Sequence, residues 1–168
     1  CIADIASNFT TNRMMSDYET RFYNKLRDRN QQMVAGDYTM AREIAAWKRK
    51  VSAAWDNVHV VEVKQLNISK EAIYVGNAYR YEVTVDVAGL KPDDIGVELV
   101  MAKQIETGQG VKVVSTFELN VERVDGNNVH YSLDLVPEHT GSYDVALRVF
   151  PKNPKLPHRM DFALVKWA

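Results

Sequence analysis

One switch of hydrophobic period, near Asp56, divides this chain into two kinds of sequence. Ahead of it, apolar residues recur at helical spacing. Beyond it, they alternate with polar residues in short runs separated by Gly, Asn, Asp and Pro. A pattern of period 3.6 buries one face only as a helix, and a pattern of period two only as a strand. The expected class is therefore α+β, with helices over residues 1–56 and strands over 57–168. Residue 1, Cys1, falls within what reads as an element already under way, and neither half holds a recognisable catalytic constellation. Such a chain reads as the tail of a larger protein.

In the first stretch Met14, Tyr18, Phe22 and Leu26 stand four apart and share one helix face. Thr10, Thr11 or Asn12 can supply the N-cap oxygen, and Asp17 precedes Arg21 in the favourable order for an ion pair. Gly36 can take the left-handed conformation that ends this helix, with Asp37 capping the next. The second helix carries Met40, Ile44, Trp47, Val51 and Ala54 or Trp55 as its seam. A short connection at Val34 to Asp37 predicts a helical hairpin. Two helices cannot bury such seams alone, so Met14, Phe22, Ile44, Trp47 and Trp55 are the candidates for packing against another domain. Lys48, Arg49 and Lys50 read as cations complementing a helix terminus, not as a nucleic-acid contact.

The second stretch predicts seven to eight antiparallel strands in two sheets packed face to face. Tyr81, Val83, Val85 and Val87 form one alternating set, and Ile95, Val97, Leu99 and Met101 another. Val113, Ser115, Phe117, Leu119 and Val121 read as a single run, followed by a hairpin signal at Asp125-Gly126-Asn127-Asn128. Val129 to Leu135, Tyr143 to Val149, and Phe162, Leu164 and Lys166 complete the series. Tyr143, just inside a late strand after Gly141, resembles a tyrosine corner. The expected architecture is an immunoglobulin-like β-sandwich.

With 21 basic and 22 acidic residues the chain has no general attraction for nucleic acid or anionic lipid. Its single cysteine, Cys1, excludes an intrachain disulfide and favours a reducing, cytoplasmic setting. No run reaches the roughly 18 apolar residues of a membrane span. The sequons at Asn8 and Asn67 are read as coincidental.

His59, His130, His139 and His158 lack partners at metal-ligand spacing, so no metal site is expected. Asp93 and Asp94 after Pro92 fit a turn, and Glu98 and Glu118 read as solvated positions on strand faces. Gly108-Gln109-Gly110 reads as a turn, not a phosphate cradle. Tyr74, Tyr79 and Tyr81 could form a small glucan platform if their rings face outward. Tyr81, however, belongs to the alternating set of Val83 and Val85, which favours the core.

Two segments go beyond pattern. Cys1 to Met15, continuing through Asp17-Tyr18-Glu19 and Arg21-Phe22-Tyr23, is the first; Pro151-Lys152-Asn153-Pro154 with Leu156 to Trp167 is the second. Both resemble the C-terminal region of bacterial α-glucan (glycogen, starch or maltodextrin) phosphorylases of the long variety with a β-rich tail. The resemblance implies a parent that uses lysine-bound pyridoxal phosphate and orthophosphate to release glucose 1-phosphate from α-1,4-glucan. The Gly-Thr-Gly-Asn-Met-Lys type of segment that carries the cofactor lysine has no counterpart here. No catalytic, cofactor or metal residue is therefore carried over.

The expectation is a noncatalytic C-terminal fragment, without cofactor of its own, whose partner is the remainder of the phosphorylase. Its role would be domain packing, oligomerisation or regulation. Two alternatives stay open: an accessory glucan-binding module, and a module that dimerises through the helix seam.

Overall fold

The computed structural model describes residues 10–66, 74–105 and 110–168. Cys1 through Phe9, the asparagines of both sequons and most of the Gly108–Gly110 turn lie outside the described residues. The chain forms two compact units, Cys1–Trp47 and Lys48–Ala168. The last turns of the second helix, from Lys48, group with the strands. Val51 and Trp55 are buried, Lys48 Nζ donates to the Asp161 carbonyl at 2.6 Å, and Lys50 lies 3.7 Å from the Asp94 carboxylate.

Helix α1 spans Thr11–Tyr18 and is capped by Thr10, whose hydroxyl accepts from the Arg13 amide at 3.2 Å. A π-helical turn, Glu19–Tyr23, leads into α2, Asn24–Ala54. Arg21 pairs with Asp17 as the spacing implied. The regular geometry of α2 is broken at Ala35–Tyr38, where Gly36, Asp37 and Tyr38 all have positive φ. Gly36 accepts this conformation freely, whereas Asp37 and Tyr38 adopt it against their side chains. Asp37 therefore does not cap the second arm as expected; its carboxylate pairs with Arg42 at 2.9 Å.

Eight strands follow among the described residues: β1 (His59–Leu66), β2 (Tyr79–Asp86), β3 (Ile95–Gln104), β4 (Val111–Glu118), β5 (Asn120–Asp125), β6 (Asn128–Leu135), β7 (Asp144–Pro151) and β8 (Lys166–Trp167). They make two four-stranded antiparallel sheets, in the orders β1-β2-β6-β5 and β4-β3-β7-β8. In β2, Tyr79, Tyr81, Val83 and Val85 are buried while the residues between them are partly exposed, the alternation read from sequence. Their neighbours Val129, Tyr131 and Leu135 on β6 extend the same apolar layer. Ile95, Val97, Leu99 and Val149 of the second sheet are also buried. The Tyr131 hydroxyl donates to the Ile95 carbonyl at 3.4 Å, a direct bond from one sheet to the other. Gly126-Asn127 closes the β5–β6 hairpin, with Asp125 and Asn128 paired.

The expected single run from Val113 to Val121 is in fact two strands in different sheets. The chain crosses at Leu119, which is buried and whose amide donates to the Val97 carbonyl at 2.8 Å. The last expected strand is also shorter: Arg159–Phe162 is a 3-10 turn, and only Lys166–Trp167 pairs with β7.

The largest departure is β3, where Gly96, Glu98, Val100 and Ala102 are buried as fully as the residues alternating with them. Glu98, read as solvated, is 1% exposed. Around Glu98 the outer face of β3 is covered by the segment after β7. Arg159 Nη1 donates to Glu98 Oε1 at 2.6 Å, and Arg148 on the paired strand reaches the same oxygen. The Arg159 guanidinium also lies 4.4 Å from the centre of the Phe150 ring, and that ring occupies the space a Cβ on Gly96 would need. A strand covered on both sides cannot show an in-out pattern.

Two outcomes test this packing. Glu98→Gln leaves two arginines facing a neutral amide and should cost about 2–3 kcal/mol in urea denaturation. That lies below the 3–5 expected for a fully buried pair, because both arginines retain some solvent. The same variant should release the 152–165 segment to limited proteolysis. Burial, aided by Asp93 and Glu118, holds the Tyr131 hydroxyl well above the ordinary tyrosine range. An unfolded tyrosine ionises near pH 10, so above that pH the folded chain binds the extra proton. The stability this supplies is intact below about pH 10 and is lost as pH rises toward the folded value, at up to about 1.4 kcal/mol per pH unit. Denaturation of wild type and Tyr131→Phe between about pH 8 and about pH 11 should show this slope in the wild type alone.

Candidate functional site

The last turns of α2 lie at one end of the two sheets, since Lys50 reaches Asp94 just before β3 and Trp55–Asn57 leads directly into β1. At the other end Tyr79 pairs with Leu135, Gln104 with Val111, and Ala102 with Asp144. Ends of β2, β6, β3, β4 and β7 thus converge there, and between them opens a cleft of about 940 Å3. Tyr74, Tyr79, Tyr81, Phe117 and Tyr143 give it aromatic walls. Ser115, Glu138, His139, Thr140 and Ser142 add polar groups.

The three tyrosines singled out from sequence therefore meet at one place, though not as an outward platform. Tyr79 and Tyr81 are 4% and 5% exposed because they belong to the inward-facing set of β2. Their hydroxyls are engaged: the Tyr74 amide donates to Tyr79 Oη at 2.7 Å, and Gln65 Nε2 donates to Tyr81 Oη at 2.8 Å. Tyr74 alone of the three presents its ring to solvent, at 62% exposure. Tyr143 stands at the entrance to β7 with the Lys103 ammonium 4.6 Å from its ring centre. The polar contribution of Glu138 to Ser142 was missed by sequence reasoning. Its one signal was a polar connection between two apolar runs, where binding groups tend to concentrate.

The helical candidates divide. Met14 and Phe22 are exposed, whereas Ile44 and Trp55 are buried and Trp47 is half-buried. Lys166 Nζ lies over the Trp55 ring at 5.8 Å and donates to the Asp56 and Val58 carbonyls, so Trp55 is packing within the strand unit.

On the outer face of the first sheet Arg80 pairs with Glu82, Glu122 and Asp134. Those carboxylates, Glu82 foremost, raise the affinity of the guanidinium for its proton. Nearby, His130 Nδ1 lies 3.0 Å from the Thr84 hydroxyl, and Nε2 lies 3.1 Å from an Arg123 nitrogen. A guanidinium only donates, so Nε2 accepts and Nδ1–H points at Thr84. The imidazole is thus oriented as a donor to Thr84 and is not placed to take its proton. Among the described residues no cluster of three or more His, Cys, Asp or Glu could hold a metal ion, and no helix is long and apolar enough to cross a membrane.

Comparison with known proteins gives this arrangement a family. A model described as the glycogen phosphorylase C-terminal domain matches residues 55–168. Maltodextrin phosphorylase of Thermococcus litoralis is 31% identical over 170 residues, covering 99% of this chain and 19% of that enzyme. Glycogen phosphorylases of Mycobacterium bovis and Mycobacterium tuberculosis are each 24% identical over 157 residues, covering 93% of this chain and 18% of theirs. The chain therefore spans about a fifth of the length of these relatives. The matched region begins at Trp55, where the helix gives way to the strands, and takes in both sheets and the segment that covers β3. This chain belongs to the glycogen phosphorylase C-terminal domain family.

Proposed function

We propose that this chain is the noncatalytic C-terminal part of a glycogen/α-glucan phosphorylase, serving domain packing, oligomerisation or regulation of the parent. The observation that carries this reading is the family match over the strand unit, in a chain that spans only about a fifth of its phosphorylase relatives. The parent's activity would be phosphorolysis of α-1,4-glucan to glucose 1-phosphate with pyridoxal phosphate, in a cytoplasmic setting. The residues present do not fit that cofactor. Lys103, the lysine beside the cleft, sets its ammonium over the Tyr143 ring, and the cleft lining adds the Glu138 carboxylate instead of further donors for a phosphate. No step of the reaction is assigned to this chain.

The strand unit reads best as an immunoglobulin-like sandwich. The order β1-β2-β6-β5 beside β4-β3-β7-β8 corresponds to strands ABED and C′CFG of that fold. Tyr143 lends no support as a tyrosine corner, since its hydroxyl makes no hydrogen bond back to the main chain among the described residues.

The helical unit supports a packing role. Met14, Tyr18, Phe22 and Leu26 share one stripe and are 47%, 45%, 54% and 64% exposed. An apolar stripe of this length marks an interaction surface, and the missing portion of the parent is its natural cover.

The test has two arms. Purified alone, the chain should show neither phosphorolysis nor cofactor absorbance; measurable turnover would refute the reading. Mixed with the remainder of the parent enzyme, it should associate, and Phe22→Asp should weaken that association about tenfold or more. The thermal transition of the strand unit should be unchanged by this substitution.

A further inference from the structure

The cleft between the strand ends is a built site that the packing role leaves unused. We infer that it binds the end of a linear, neutral α-1,4-glucan chain, a choice of glucan that rests on the phosphorylase reading above. The cleft lies at the end of the sheets opposite the last turns of α2, so it is formed wholly within the strand unit.

Its chemistry selects the ligand. No lysine or arginine appears among the described residues lining it, and Glu138 contributes a carboxylate. Lys103 stands beside the cleft over the Tyr143 ring, but one ammonium offset by the Glu138 carboxylate gives a polyanionic ligand little net attraction. A wholly apolar ligand would strip water from Glu138, His139, Thr140 and Ser142 and return no hydrogen bonds. A sugar meets both demands. Its C–H faces stack on aromatic rings while its hydroxyls exchange hydrogen bonds with short polar side chains.

The supporting geometry is fixed in advance. Tyr79 and Tyr81 are buried and hydrogen-bonded through their hydroxyls, so they form a rigid floor. The Tyr79 hydroxyl holds the Tyr74 amide, which sets the backbone of the exposed Tyr74 at the cleft wall. Gly76 and Pro137 are linked by a backbone bond of 3.0 Å, tying the Tyr74 turn to the connection that carries His139. Tyr143 stands in the same wall with its ring backed by Lys103. A chain end, open on the solvent side, suits a cleft that is not enclosed.

Calorimetric titration of this chain with maltoheptaose, and in parallel with cellohexaose, tests the inference. Saturable binding of maltoheptaose at millimolar or tighter affinity is expected, with little response to the β-linked chain. Tyr74→Ala, at an exposed position that should fold normally, should weaken binding about tenfold. His139→Ala should weaken it by a smaller factor. Absence of maltoheptaose binding, a preference for cellohexaose, or binding that both variants leave unchanged would each overturn it. If the chain ignores maltoheptaose yet still associates with the remainder of the parent, the cleft assignment alone fails. If that association is also missing, the packing role fails with it.

Discussion

The shared burial of Glu98 by Arg148 and Arg159 decides how the second sheet is finished. A carboxylate at 1% exposure would be untenable alone, because charge is costly to remove from water. Arg148 comes from the neighbouring strand and neutralises the carboxylate on strand pairing, while Arg159 from the segment beyond β7 adds a second cation that completes its cover. Around this cluster Phe150 lies on Gly96, Arg159 lies on Phe150, and Arg148 lies 5.3 Å from the Trp167 ring centre. The ion cluster orients the segment, while the rings and the glycine set how closely it approaches.

That covering layer gives the two ends of the strand unit different characters. At one end the last turns of α2 are anchored by Lys48, Lys50 and Trp55. At the other, strand ends from both sheets splay around the cleft. Attachment to a larger protein and presentation of a binding surface can therefore occupy separate places on one small scaffold. In the helical unit Met14, Tyr18, Phe22 and Leu26 stand exposed on one stripe, whereas Ile44 is buried.

Much of the fold was legible because local rules and tertiary structure agree in β2, β6 and the β5–β6 hairpin. Where they diverge, the cause is tertiary. Alternation presumes one wet face, and β3 has none, so Glu98 was misread from its position between apolar neighbours. Val113 to Val121 keeps one parity throughout, which hides the crossing at Leu119 between sheets. At Asp37 a good capping residue was overridden by a left-handed backbone that leaves its carboxylate to Arg42. The tyrosines of the cleft were individually visible, but their convergence with Glu138 to Ser142 depends on strand order. No local pattern encodes strand order.

The separation of Glu98 from Arg159 by 61 residues has a consequence for biosynthesis. At about 5–20 residues per second, the carboxylate emerges from the ribosome roughly 3–12 s before the guanidinium that covers it. Arg148, 50 residues after Glu98, arrives within that interval, so the carboxylate gains its first cation before its second. A charge set inside an otherwise apolar strand is the kind of residue that discourages aggregation of an unfolded segment.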